Sequence, residues 1–328
     1  MDRRKLLILV ALGIGLLFLL AFPWFSGDYY AHILILVFLN VVLAVGYRLL
    51  YVTGLGSFCH ATFYALGGYA SAILGQKVGL PYGLCLIAAG IVPAIFAVII
   101  GWPSMRVKGP YFFLTTFAFF MVMDSVFRHW TRVTNGARGL TNIPGIAPIG
   151  TMRPYYYLAI ALMAVTILVM YRLDRSRFGA ELLAIGDDED LAKSVGINVP
   201  LTRIIAFSVG AMFAGFAGSI YASYISFISP ASFTLLSTIF VLIWVVIGGP
   251  RKLWGPIAGA VLMTFVAELL RMSGTLQAIL YAIVLLVAIL VIPQGLVGLV
   301  DDLRTRFGRG GGPGLKPGLE ESAPAIPR

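Results

Sequence analysis

The chain has 328 residues, of which 59% are hydrophobic and only 12% are charged, with a formal net charge of +10. Soluble globular proteins carry about 25% charged residues, so this composition cannot cover a soluble surface and indicates a polytopic membrane protein. The basic residues lie in short loops between apolar runs, which is the pattern of loops that face anionic lipid. The positive charge therefore does not indicate a nucleic-acid partner.

About ten apolar segments are long enough to be membrane spans, because a helix needs about 20 residues to cross the hydrocarbon. The third segment is rich in Gly, Ser and Thr, and the ninth is short and contains Glu268. These two fit the interpretation least well, so we expect an all-α polytopic membrane protein with eight to ten spans. In chain order the predicted spans are 6–22, 31–50, 55–75, 82–101, 110–128, 155–171, 203–226, 232–249, 255–271 and 276–293.

The basic residues also predict the orientation of these spans. With the N-terminus in the cytoplasm, 18 of the 24 Lys and Arg residues fall in cytoplasmic loops or in the two terminal segments. Both termini are then cytoplasmic, and residues 1–300 form one transmembrane domain. Residues 301–328 are rich in Gly and Pro without an apolar period, which predicts a disordered cytoplasmic tail.

An acidic segment interrupts the apolar pattern at residues 172–202, which the topology places in the cytoplasm. Six of the 14 acidic residues of the chain lie here, between Asp174 and Asp190. Apolar residues at spacings of four and three predict that the segment begins with an amphipathic helix. The apolar stripe of this helix is Phe178, Leu182 and Ile185.

A second short helix is predicted to follow directly. Gly186 suits the C-terminal end of the first helix, and Asp187 suits the N-cap of the second, with Asp190 placed as in a capping box. A simple connection between two spans needs only a few residues. Two paired amphipathic helices therefore favour a docking surface for another protein, with a structured joint as the alternative. The apolar face and the end of the second helix are Leu191, Val195 and Gly196.

Few polar side chains interrupt the predicted spans, and those that do are candidates for a substrate path, because polar groups at this depth are costly. Each has a structural alternative: His60 can bond to a neighbouring carbonyl, and Glu268 can pair with Arg271. The scarcity of ionisable groups argues against coupling to a proton or sodium gradient. The candidates are Ser57, His60, Thr62, Thr115, Thr116 and Glu268.

Motifs for catalysis are absent from the sequence. There is no Gly-x-x-x-x-Gly-Lys-Ser/Thr nucleotide loop, and no HExxH, GxSxG or GxGxxG motif stands in a suitable context. We therefore expect no catalytic residue, no cofactor and no metal site. If ATP drives this protein, another chain must bind and hydrolyse it.

Six ordered blocks between about residues 31 and 295 resemble the branched-chain amino acid permease family of ABC importers. The last block departs from the family pattern at Pro250 and Arg251, and the third has Asn135 where the family has Gly. In chain order the blocks are GLGSFCHATFYALGGYASAIL, RVKGPYFFLTTFAF, TNGARGLTNIPG, RSRFGAELLAIGDDEDLAKSVGIN, FSVGAMFAGFAGSIYASY and GGPRKLWGPIAGA.

The resemblance implies a permease subunit in a bacterial inner membrane that translocates leucine, isoleucine and valine. The implied partners are two ATPase subunits, a second homologous permease, an extracytoplasmic substrate-binding protein and the lipid bilayer. ATP would be bound by the ATPase subunits, so the permease itself would not be an enzyme. The same architecture could import urea, short amides or another small polar solute, and a stand-alone secondary transporter or channel and a membrane scaffold remain alternatives.

The resemblance also implies that segment 172–202 contains the coupling helices that dock into the ATPase subunits. Movement of these helices would rock the spans and alternate access to the substrate. Their residues would therefore act as mechanical contacts. The implied docking residues are Phe178, Gly179, Leu182, Ile185, Asp187, Asp188, Glu189, Asp190, Leu191, Ala192, Val195 and Gly196.

Overall fold

A computed structural model describes residues 19–25, 27–105, 109–146, 152–271, 276, 279–283 and 286. Most of the first predicted span, most of the tenth and the whole predicted tail at 301–328 lie outside the described residues. Helices dominate the described part of the chain, and the prediction of an all-α polytopic membrane fold is confirmed.

Turns and non-helical segments connect the described helices, and residues 279–283 are also helical. A π-helical stretch, Leu74–Val78, continues the third helix, and two short strands, β1 (Leu140–Thr141) and β2 (Phe227–Ile228), pair antiparallel. In chain order the helices up to residue 271 are α1 (19–25), α2 (Asp28–Tyr51), α3 (His60–Ile73), α4 (Tyr82–Ser104), α5 (Pro110–His129), α6 (Thr131–Thr134), α7 (Met152–Asp174), α8 (Arg177–Asp187), α9 (Glu189–Ser194), α10 (Val199–Ile225), α11 (Leu235–Gly248) and α12 (Trp254–Leu270).

Among the described residues, six helical segments are long and apolar enough to cross a membrane. The two segments that fitted the sequence prediction least well are not among these six. Helix α3 has 14 residues and α12 has 17. The six long segments are Asp28–Tyr51, Tyr82–Ser104, Pro110–His129, Met152–Asp174, Val199–Ile225 and Pro230–Gly248.

Helices α2 and α10 form the centre of the molecule, because most of their residues are buried within the chain. In helices α4, α5 and α7 most residues are at least partly exposed, as in lipid-facing helices. Glycines allow the central backbones to come close: a Cβ on Gly46 of α2 would lie 3.2 Å from the carbonyl oxygen of Gly210 in α10. Gly67 of α3 lies against Gly215 of α10 with no space for a side chain. The small residues therefore serve close helix packing.

A break separates α2 from α3. The chain leaves α2 after Tyr51, and α3 begins only at His60, whose ring lies beside the carbonyl of Leu43. At 1.5 Å per residue, Leu43 is about 12 Å back along α2. Residues 52–59 therefore run back into the protein without forming a helix, and this explains the Gly-, Ser- and Thr-rich composition of the third predicted span.

The polypeptide has two distinct ends. At one end the C-termini of α2, α7 and α11 meet the N-terminus of α10 and the helices α8 and α9, and we call it the α8–α9 end. At the other end the strands β1 and β2 lie near the N-terminus of α2 and the C-termini of α10 and α12, and we call it the β1–β2 end.

Candidate functional site

The two predicted helices at residues 172–202 are present, and their junction lies at Asp188. The Asp188 carboxylate caps α9 by accepting hydrogen bonds from the backbone N–H groups of Asp190 and Leu191, both at 2.9 Å. The predicted N-cap at Asp187 was wrong by one residue, because α8 continues through Asp187. Gly196, with φ +89°, follows the last turn of α9 as predicted.

Gly186 has a different role from the predicted helix end. It lies in the last turn of α8, where a Cβ would collide with the carbonyl oxygen of Val52. The glycine is therefore needed for close contact between α8 and the chain that leaves α2. Gly179, near the start of α8, is similarly confined by the carbonyl oxygens of Leu173 and Asp174.

The apolar stripe of α8 packs against its own chain. Leu182 and Ile185 are each 2% exposed, and the partly buried Phe178 packs against the main hydrophobic core. Ala192 of α9 is also 2% exposed and shares a small apolar cluster with Ile185. These side chains attach α8 and α9 to the spans, and they are not available on the surface of this chain.

A different set of side chains faces outward from α8 and α9. Leu191 is 62% exposed and Val195 is 69% exposed, which is high for apolar residues. They lie beside acidic side chains that are exposed as well. We call this set the outer α8–α9 surface, and it consists of Leu183, Asp187, Asp188, Asp190, Leu191 and Val195.

Two ion pairs connect the helices α8 and α9 to neighbouring elements. Glu189 turns inward, and its carboxylate lies 3.0 Å from the buried guanidinium of Arg203 in α10. Arg203 also donates to the carbonyl oxygen of Thr53 at 2.9 Å. The second pair joins Asp187 to Arg251 at 3.0 Å, but both side chains are exposed, so this pair adds little stability.

Arg48 connects its own helix, α2, to two other elements at this end. Its side chain is buried near the C-terminus of α2 and lies 2.9 Å from Asp174 at the end of α7. It also donates to the carbonyl oxygens of Pro250, at 2.6 Å, and Arg251, at 3.2 Å, in the loop between α11 and α12. A buried charge requires such partners, and through them Arg48 holds α2, α7 and this loop together.

Three of the six candidate path residues, Ser57, His60 and Thr116, lie together at the break before α3. Ser57 and His60 line a cavity of about 10 Å³ at the break before α3, where Nε2 of His60 donates to the Leu43 carbonyl oxygen at 3.1 Å. That hydrogen bond is the structural alternative anticipated for His60. Thr116 of α5 accepts a hydrogen bond at 3.1 Å from the backbone of this same break, at Phe58.

The other candidates have different surroundings. Thr62 lies in the first turn of α3 and has no hydrogen-bond partner among the described residues. Thr115 donates to the carbonyl oxygen of Tyr111 within its own helix, at 2.8 Å. Glu268 lies at the β1–β2 end, where it accepts hydrogen bonds from Tyr29 at 2.6 Å and Arg271 at 3.2 Å. Glu268 therefore does not belong to the group around Ser57 and His60.

A sequence profile described as "Branched-chain amino acid transport system / permease component" matches residues 29–292. The chain belongs to this permease family. The permease is 28% identical to the high-affinity branched-chain amino acid transport system permease protein LivM of Escherichia coli, over 90% of this chain and 75% of that protein. It is 25% identical to the E. coli permease LivH, over 78% of this chain and 90% of that protein.

Two further similarities were found. The permease is 25% identical to the ribose import permease protein RbsC of E. coli, over 89% of this chain and 93% of that protein. A solved structure, PsaBC from Streptococcus pneumoniae in complex with Fab, aligns with a TM-score of 0.47 and 14% identity, over 81% of this chain and 92% of that chain.

Two polar side chains of the permease interior were not identified from the sequence. Tyr47 of α2 accepts a hydrogen bond from the Ser57 N–H at 2.9 Å and donates to the Ser57 carbonyl oxygen at 3.1 Å. Thr238 of α11 accepts a hydrogen bond from the Ala61 N–H at 2.9 Å. Backbone groups inside a membrane need such partners. The position of Tyr47 in the span that precedes the polar break could have identified it from the sequence. Nothing in the sequence indicates the contact with Thr238.

Proposed function

We propose that this chain is a permease subunit of an ABC importer that carries leucine, isoleucine and valine across the bacterial inner membrane. ATP would be bound and hydrolysed by two separate ATPase subunits, so the permease holds no cofactor and catalyses no reaction. A second homologous permease and an extracytoplasmic binding protein would complete the importer. Membership of the branched-chain amino acid permease family is the observation that carries this proposal.

The interior of the protein supports an external energy source. Among the described residues no Asp or Glu side chain is fully buried, and the buried Arg48 and Arg203 lie at the α8–α9 end. The buried His60 bonds to the carbonyl oxygen of Leu43. Transporters that use an ion gradient place ionisable relays within their spans. A permease moved by a partner that hydrolyses ATP needs no such relay.

The outer α8–α9 surface is the proposed ATPase contact, so the α8–α9 end would face the cytoplasm. Its exposed Leu191 and Val195 have the character of an interface core, and the aspartates around them form a polar rim. Phe178, Leu182, Ile185 and Ala192 would act indirectly, by transmitting force from α8 and α9 to the spans against which they pack.

Co-purification with the ATPase subunits tests this function. We expect Val195→Asp to release the ATPase from the permease, because the substitution places a charge in an apolar contact. Val78→Asp is the matched control, since Val78 is 61% exposed and lies toward the β1–β2 end, where no ATPase would bind. Retention of the ATPase by both variants would remove the outer α8–α9 surface from the interface.

The substrate is tested separately. We expect the binding protein that delivers substrate to this permease to bind leucine, isoleucine and valine in calorimetric titrations, and not urea or short amides. Binding of urea with no response to leucine would assign this permease to the import of amides while leaving its role in an ABC importer intact.

A further inference from the structure

A cavity of about 280 Å³ lies at the α8–α9 end, and Leu183 at its border is also part of the outer α8–α9 surface. The proposed function gives the rest of its lining no role. The cavity is enclosed by the C-terminal ends of α2 and α7, by α8 and by the loop that leads into α12. We call it the basic cavity. The residues that determine its character are Tyr171, Asp174, Arg175, Arg251, Lys252 and Trp254.

The lining of the basic cavity carries an excess of positive charge. It contains four basic side chains and one acidic side chain, Asp174. That carboxylate is already engaged by Arg48, at 2.9 Å. The side chains of Arg175 and Arg251 are exposed, so their charge is presented to whatever enters the cavity. Lys252 is exposed as well and already takes part in another interaction. The pair that Arg251 makes with Asp187 is exposed on both sides and therefore easily replaced by a stronger anion.

Aromatic side chains at the border of the basic cavity are of the type that is enriched at the depth of the lipid headgroups. Trp254 is 60% exposed at the N-terminus of α12, and Tyr171 is 36% exposed in the last turn of α7. The guanidinium of Arg175 lies 4.4 Å from the centre of the Tyr171 ring. Trp and Tyr at the ends of spanning helices prefer the boundary between hydrocarbon and water. Basic pockets between helices at this level suit anionic headgroups.

We propose that the basic cavity binds the phosphodiester headgroup of an anionic phospholipid from the surrounding bilayer. A soluble phosphate compound presents the same chemistry, but the Trp and Tyr side chains at the border favour a ligand with an apolar part. A bound headgroup contacts Arg175, which follows α7, and Lys252, which precedes α12. It thereby braces the loops that support α8.

Lipid retention by the purified importer complex tests the proposal. The complex is exchanged into nanodiscs of phosphatidylcholine that contain a small fraction of phosphatidylglycerol, and the lipids held by the protein are measured by native mass spectrometry. The cavity variant carries Arg175→Gln and Lys252→Gln. The matched control carries Arg172→Gln and Arg177→Gln, which remove the same charge from exposed positions that do not line the cavity.

We expect the cavity variant to retain phosphatidylglycerol about 30-fold more weakly, the effect of removing two cations near a headgroup. The control is expected to change less, because Arg172 and Arg177 do not line the cavity. An equal loss in both variants would reduce the effect to general surface charge and overturn the proposal. Retention of phosphatidylglycerol by the unmodified complex in no greater proportion than its share of the nanodisc lipid would overturn it too.

Two further arms identify other occupants. Displacement of phosphatidylglycerol by millimolar inorganic phosphate or ATP would make a soluble phosphate the ligand and overturn the assignment to lipid. Loss of the ATPase subunits from the cavity variant, with lipid retention unchanged, would make the cavity part of the protein interface instead. Retention is also measured on the purified permease alone and without substrate, so a failure of the proposed transport function would leave this result readable.

Discussion

Removing the charge of Glu189 should loosen α9 from the spans. The Glu189 side chain is 27% exposed, whereas that of Arg203 is only 6% exposed, so the variant Glu189→Gln leaves a largely buried cation without its carboxylate. Among its described contacts, Arg203 would keep the carbonyl oxygen of Thr53 at 2.9 Å and the Thr53 hydroxyl at 3.4 Å. A partly buried charged hydrogen bond contributes roughly 2 kcal/mol, so the equilibrium constant for opening of α9 should rise about 30-fold.

Hydrogen–deuterium exchange of the backbone amides in α8 and α9 measures this opening directly. The matched control is Asp190→Asn, which removes the same charge from a side chain that is 80% exposed and lies 3.4 Å from Lys193. An exposed pair contributes below about 1 kcal/mol, so exchange in the control should change less than about fivefold. Equal acceleration in the two variants would refute the idea that Glu189 anchors α9 through Arg203.

The same contact predicts a pH dependence. Burial raises the pKa of Glu189, but the hydrogen bond from Lys193 and the charge of Arg203 outweigh it, so the pKa is lowered from 4.5. A carboxylate with a lowered pKa stabilises the folded state above its unfolded pKa, and this stability is lost as the pH falls through the folded pKa. Protection of α9, corrected for intrinsic exchange, should therefore be constant from about pH 7 to 5 and decline below about pH 4.5. The Glu189→Gln variant should lack that decline.

Two further substitutions test the packing of the spans. Gly67→Ala should lower the thermal stability of the purified permease by roughly 1–3 kcal/mol, because a Cβ there meets the backbone of α10, whereas Gly83→Ala, with nothing within 4 Å, should be neutral. Similar melting temperatures for the two variants would contradict the close approach of α3 and α10. Thr238→Val should cost about 1–3 kcal/mol, because it leaves the backbone N–H at the start of α3 without a partner. The control Thr115→Val removes only a hydroxyl bonded within its own helix and should cost less stability. A larger loss of stability in Thr115→Val than in Thr238→Val would contradict the role of Thr238.

Much of the fold could be predicted from the sequence, since an apolar run of about 20 residues is a strong signal that depends only on local composition. The helical pair at 172–202 was also predictable, because capping and apolar periodicity are local properties. The helix junction was placed one residue early, since Asp187 and Asp188 are both suitable N-caps and only the backbone geometry selects Asp188.

The face of α8 that another protein could reach was not predictable. Periodicity identified the stripe of Leu182 and Ile185, but it does not say whether the same chain or a partner covers that stripe. The structure covers it with the chain itself, so of the two predicted apolar faces only Leu191 and Val195 stay exposed as the proposed contact. The apolar face of an amphipathic helix beside the spans can pack against the spans or against another protein. The sequence periodicity is the same in both cases.

The connections of buried polar groups were also beyond prediction. Arg203 stands at the start of the predicted span 203–226, but its contact with Thr53, far away in sequence, had no signal. Likewise, His60 and Ser57 were recognised as unusual, but the chain break that brings Tyr47 to them depends on tertiary packing. Such contacts join distant segments and leave no periodic trace in the sequence.

ATP-dependent uptake by the reconstituted importer tests the central claim most directly. Proteoliposomes contain this permease with its sister permease and two ATPase subunits. ATP is enclosed in the vesicle, on the side of the membrane that the α8–α9 end faces. The binding protein with labelled leucine is supplied outside, on the side that the β1–β2 end faces. We predict accumulation of leucine that requires hydrolysable ATP and persists when ionophores collapse the proton and sodium gradients. Accumulation by the permease without ATPase subunits, driven by either gradient, would contradict it.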